Sequence, residues 1–184
     1  MQLVLALALL AVFFLVRRWQ PLVLGPVFTV LFLLLGGCPV GGVRWAVGGL
    51  AGTALGYAVA LLVPFTRKLF HDPRYQVSLG RALFTALIEV PLATVAVEEA
   101  AFRGALWPVA WATPVLFGLW HVLPGTRTNA AASSRWATFG FTVAAGVVLA
   151  VLRHFSGGLL APFVLHWAAN GLGIVASALA RERR

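Results

Sequence analysis

Charge is what this 184-residue sequence has least of: five acidic and fourteen basic residues make up 10% of the chain, against 61% hydrophobic residues. The mean hydropathy is +0.94. Soluble domains carry about 25% charged residues, so the chain lacks the polar side chains needed to cover a water-facing surface, and an ordinary soluble domain is excluded. Cysteine is nearly absent as well. Cys38 stands alone, which excludes an internal disulfide framework and a thiolate metal site. The shortage of acids leaves a net charge of +9. The basic residues nevertheless fall in short breaks between apolar runs and do not gather on one polar face. They suit cytoplasm and anionic headgroups, not nucleic acid.

Long hydrophobic runs are what the sequence has in abundance. At about 20 residues per crossing, the length suits six or seven membrane helices with short loops. The runs are Met1 to Val16, Pro21 to Leu35, Ala46 to Val63, Ala82 to Leu106 with a kink near Pro91, Val109 to Leu123, Trp136 to Leu152, and Leu159 to Ala180. A polar stretch from Thr66 to Gln76 reads as a loop or an interfacial helix, and Pro124 to Arg135 as a second long loop. The expected fold is therefore all-α, a polytopic transmembrane bundle of about seven spans forming a single integral membrane domain over 1–184, with three N-terminal helices in 1–64.

The basic residues give the bundle an orientation. One set of alternate ends holds Arg17, Arg18, Arg67, Lys68, Arg74, Arg81, Arg127, Arg135, Arg181, Arg183 and Arg184; the other holds only Arg44 and Arg153. Cytoplasmic loops are enriched in Lys and Arg, so the N-terminus is expected outside and the C-terminus in the cytoplasm of a multi-pass cell-membrane protein. The first run makes a poor cleavable signal, because its arginines follow the apolar stretch instead of preceding it.

Ionisable side chains at membrane depth cost about 2.5 to 3.5 kcal/mol on insertion scales and face a bundle interior or a hydrated cavity. The fourth span carries Glu89, Glu98, Glu99 and Arg103, the fifth His121, and the seventh His166 and Asn170. Glu99 and Arg103 are four residues apart and can pair, as a structural ion pair. His166 and Asn170 share the same spacing, as do Phe117 and His121. At about 1.5 Å per residue, Glu98 lies roughly 14 Å, His121 roughly 18 Å, and His166 and Asn170 roughly 12 and 18 Å below the turns on one side. All four are expected to meet near the midplane. Glu89, nine residues before Glu98, has no role in this layer, and the glycines at 48, 49, 52 and 56 read as internal helix packing. Trp120 and Trp167, next to the two histidines, suit either a substrate cleft or packing.

A desolvated glutamate with a histidine can draw a proton from water. A second histidine and an amide can stabilise the oxyanion that forms when that water attacks a carbonyl. The same residues describe two rival readings. Two histidines and a carboxylate, Glu98, His121 and His166, suit zinc, although no HExxH helix is present. Intramembrane Glu and His also serve proton-coupled transporters, and a partner-binding regulator can retain such a cavity.

Glu98-Glu99-Ala-Ala-Phe-Arg103, Phe117-Gly-Leu-Trp-His121 and His166-Trp-Ala-Ala-Asn170 resemble, in order, the EExxxR, FxxxH and HxxxN motifs of the CPBP family, the CAAX-protease and bacteriocin-processing (Abi) intramembrane endopeptidases. The resemblance covers the C-terminal half and implies a catalytic core over 79–180. It implies that Glu98 is the catalytic glutamate with His121 helping to activate water, that Glu99 and Arg103 support the helix, and that His166 and Asn170 stabilise the oxyanion. It further implies a membrane-associated protein or peptide substrate, with metal independence placed ahead of zinc.

Overall fold

The computed structural model describes residues 1–70, 77–123 and 132–182, and the regular structure among them is entirely helical. The helices are α1 (Gln2–Val16), α2 (Pro21–Gly36), α3 (Val43–Leu62), α4 (Leu79–Ala105), α5 (Thr113–Val122), α6 (Ala132–Ser156) and α7 (Leu160–Glu182). Four of them, α3, α4, α6 and α7, are long and apolar enough to cross a membrane by length and composition. Helices α1, α2 and α5 are apolar but shorter; the 15 residues of α1 extend about 22 Å, less than the roughly 30 Å of a hydrocarbon core.

Two boundaries differ from the hydropathy reading. Span five was expected from Val109, but Leu106 leaves helical geometry and Trp107–Val109 forms a single 3₁₀ turn, so α5 begins only at Thr113. Pro114, one residue in, supplies the fixed φ of a helix start. Helix α6 begins at Ala132, inside the expected loop to Arg135. Of the polar stretch, Pro64–Arg67 is one helical turn and Lys68–Phe70 a 3₁₀ turn, while His71 to Gln76 and most of the second loop lie outside the described residues.

Helix α4 runs through the middle. Every residue from Val95 to Leu106 except Ala96 is buried, as in a helix surrounded by others. It departs from α geometry three times, over Thr85–Glu89, Pro91–Val95 and Ala100–Ala105, where the turns widen to π spacing. Pro91 has no N–H and its ring crowds the carbonyl four residues back; a wider turn relieves both. The expected kink is therefore a pair of wide turns.

Glycines set the closest approaches. A Cβ on Gly25 would run into the backbone of Leu92 and Ala93, and one on Gly36 into Gly104 and Ala105, so α2 lies directly on α4. Helices α5 and α6 meet through Gly118, which faces Val143 and Phe139, and Gly146, which faces Pro114 and Phe117. Helix α3 rests on α7 through Gly49 against Leu165 and through Tyr57, whose hydroxyl donates to the Ala169 carbonyl at 2.6 Å. This corrects the small-residue reading. Gly48, Gly52 and Gly56 face open space, because the contacts with α7 run through Gly49 and Tyr57, one residue round the helix.

Candidate active site

Glu98, Glu99 and Arg103 of α4 and His166 of α7 are buried and in one cluster. Glu99 Oε1 accepts twice, from Arg103 Nη1 at 3.1 Å and from His166 Nδ1 at 2.7 Å. Arg103 Nη2 donates to the Gly146 carbonyl at 3.3 Å, tying α4 to α6, and the guanidinium carbon lies 4.5 Å from the Phe117 ring centre. The expected i,i+4 pair is present. It also does something that spacing alone did not reveal: it holds an anion against one ring nitrogen of His166.

A carboxylate only accepts, so Nδ1 of His166 carries the proton and Nε2 is turned toward Glu98, whose Oε2 lies 3.8 Å away. That separation exceeds a hydrogen bond. Glu98 Oε1 accepts from Trp120 Nε1 at 2.9 Å, whereas Oε2 is shielded and has no hydrogen-bond partner. Glu98 thus presents one anchored oxygen and one facing an imidazole. Shielded groups of this kind are expensive to leave unpaired, and Glu99 Oε2 and Arg103 Nε are in the same state, so the cost falls on the cluster as a whole.

His121 is half-buried on α5. Its Nδ1 lies 2.8 Å from the Phe117 carbonyl; a carbonyl only accepts, so this ring nitrogen carries a proton. Phe117 touches both imidazoles, with ring centres 4.5 Å from His121 and 5.6 Å from His166. Asn170 is not brought into the buried cluster: one turn past His166, it is exposed. Of the four residues expected in one layer, Glu98 and His166 face each other in the buried core, His121 stands against the same Phe117 ring as His166, and Asn170 lies exposed on α7. For zinc, no three His, Cys, Asp or Glu side chains converge as a ligand set among the described residues. His166 Nδ1 is already given to Glu99.

Glu89 is explained by the structure. It takes a hydrogen bond from Arg81 Nη2 and another from Thr85 Oγ1, both at 2.7 Å, away from the cluster. Trp167 Nε1 donates to the Ala86 carbonyl at 2.7 Å and so braces α7 on α4.

Trp120 and Arg17 are the residues that sequence reasoning undervalued. The indole of Trp120 sits among Phe13 and Phe14 of α1 and Phe102 of α4, with ring centres 5.4 to 6.1 Å away. The guanidinium carbon of Arg17, just past the end of α1, lies 4.3 Å from the centres of both the Phe14 and Trp120 rings. Burial pushes the Arg17 guanidinium below its usual pKa, the charge of Glu98 acts in the opposite sense, and Arg18 adds to the lowering. The signal available in the sequence was the position of Trp120, three residues after Phe117 and one before His121. On Arg17 there was none beyond its place in a basic pair.

An apolar cavity of about 210 Å³ lies between α2, α4 and α7, with Thr29, Leu33, Glu99, Ala100 and Phe163 in its walls.

The family model for type II CAAX prenyl endopeptidases, Rce1-like, matches residues 80–172, the stretch that contains all six residues singled out from the motifs. The chain belongs to the Rce1-like type II CAAX prenyl endopeptidase family. This agrees with the resemblance to the CAAX proteases read from the sequence. An Escherichia coli protein described as an uncharacterized 24.3 kDa protein is 34% identical over 179 residues, which is 91% of this chain and 75% of that protein. No solved structure matches. Arg17 lies outside the matched Rce1-like segment, yet it packs on the segment's Trp120.

Proposed function

We propose that this Rce1-like protein is an intramembrane endopeptidase that hydrolyses a peptide bond of a membrane-associated protein or peptide, with Glu98 as the base that activates water. The observation that carries this reading is the buried, unpartnered Glu98 Oε2 facing His166 Nε2 at 3.8 Å, within a family whose name denotes an endopeptidase. A water admitted between these two atoms would bind both, to one side of the line joining them. Glu98 takes one of its protons as the oxygen bonds to the substrate carbonyl carbon, and the proton then passes to the amine nitrogen as the C–N bond breaks. His121 shares the proton handling. His166, held by Glu99 as an imidazole is held by a carboxylate in hydrolytic triads, and Asn170, on the open side, donate to the developing oxyanion. No step requires a metal or other cofactor. The cavity beside Glu99 receives an apolar part of the substrate.

The proposed membrane arrangement is seven crossings in the cell membrane with the N-terminus outside, the shorter helices crossing with the help of their neighbours. The experiment is cleavage of a farnesylated CAAX peptide by the full-length protein reconstituted in lipid. Glu98→Gln, which keeps the shape and removes the base, should lower turnover by at least about 10²-fold. Full turnover by Glu98→Gln overturns the reading in favour of a regulator or transporter, and abolition of wild-type cleavage by chelators favours the zinc version.

A further inference from the structure

A cation at the mouth of a membrane helix ordinarily reaches for headgroups, and Arg18 does so: it is exposed, as is Trp19 beside it. Arg17 turns the other way. It is half-buried, its Nη2 is shielded from solvent with no hydrogen-bond partner, and its guanidinium carbon sits over the rings of both Phe14 and Trp120, 4.3 Å from each centre. Leaving such a donor unpaired costs free energy, so the ring contact has to offset the loss. A cation over an aromatic face is attracted by the ring's negative quadrupole, most strongly for tryptophan and more so when water is excluded.

The Trp120 N–H does not point to solvent or to a backbone carbonyl. It donates to Glu98 Oε1, the carboxylate whose second oxygen faces His166. A positive charge on the indole face draws electron density toward itself and makes the N–H a stronger donor, as linked polar contacts polarise one another. Phe13, Phe14 and Phe102 close the remaining sides of the ring, so its orientation is set by contacts from α1 and α4 together.

We infer that Arg17 is a positioning residue for the hydrolytic site: laid across Trp120, it holds the indole N–H on Glu98 and so fixes which way the second carboxylate oxygen points. The inference rests on Glu98 being the base, and it assigns the N-terminal helix, which lies outside the family match, a part in the reaction.

The test uses the full-length protein in lipid or detergent and separates charge from packing by comparing Arg17→Met, which keeps much of the stem, with Arg17→Lys, which keeps the charge. The first readout does not depend on activity. The indole N–H proton resonance of Trp120, assigned by its loss in Trp120→Phe, should move upfield in Arg17→Met and stay near its original position in Arg17→Lys. The second is turnover of a farnesylated CAAX peptide: kcat falls about tenfold in Arg17→Met with KM within about twofold, and Arg17→Lys recovers most of it. In a Trp120→Phe background the Arg17→Met change should have little further effect. Arg17→Gln replaces Arg17→Met if the latter does not fold. An unmoved Trp120 resonance, or equal turnover in the Met and Lys variants, overturns the inference. Retained turnover in Glu98→Gln defeats instead the reaction on which it rests, while the resonance still reports whether Arg17 controls Trp120.

Discussion

Glu98 and Glu99 are adjacent, equally dry and differently employed. Both oxygens of Glu98 lie near groups of other helices, Trp120 and His166, while Glu99 is committed to Arg103 and His166 Nδ1. Removing one partner of a buried pair strands the other charge, so Arg103→Met should cost about 3 to 5 kcal/mol of stability, read as a fall in thermal unfolding temperature in detergent. Glu99→Gln added to Arg103→Met should recover a large part of that loss; a double variant no better than Arg103→Met places the cost in the Gly146 contact instead. The i,i+4 spacing made the Glu99–Arg103 pair legible. It did not make legible that the pair orients His166, because that contact joins positions 67 apart in the chain. The burial of His166 and exposure of Asn170 on one helix face likewise depend on how far neighbouring helices extend, which periodicity does not encode.

Helix α4 is where element-level reading met its limit. Hydropathy located it, and Pro91 announced an irregularity, but a proline specifies only a lost hydrogen bond and a clash. A pair of π-spaced segments flanks it and a third follows over Ala100–Ala105, which no proline announced, and such turns recur at functional sites. Each wide turn shifts the angular positions that follow it, so helical-wheel reasoning carried from Glu89 to Glu98 could not place them relative to one another. Glu89 in fact reaches back two turns to Arg81. The contact of α2 with this helix depends on the absence of side chains at Gly25 and Gly36. Gly36→Ala puts a methyl group into the backbone at Gly104 and Ala105, one residue from Arg103. It should destabilise the protein by about 1 to 3 kcal/mol and reduce cleavage, whereas Gly52→Ala, at a position facing open space, should leave unfolding temperature and cleavage near wild type. Equal tolerance of the two changes would show that α2 does not press on α4.

At the scale of the molecule, three connections gather at one end. The Leu159 N–H donates to the Pro39 carbonyl at 2.9 Å, Gly158 packs against Gly41 with no space for a Cβ, and the Arg153 guanidinium lies over Trp107, 4.9 Å from the ring centre. These segments follow α2, α6 and α4, the ends that alternate crossing places together and that carry only Arg44 and Arg153 of the basic residues. In the proposed orientation, drawn from the charge asymmetry, that end lies outside. Cys38 lies in one of these connections and is exposed, and as the chain's lone cysteine it reports the orientation without engineering. A membrane-impermeant maleimide should label the protein in right-side-out vesicles. In inverted vesicles, labelling should appear only after the membrane is permeabilised. The reverse pattern places the basic-poor end in the cytoplasm, and with it Arg17 and Trp120 on the outer side; the helix packing is indifferent to that reversal, so only the side from which substrate enters would have to be reassigned.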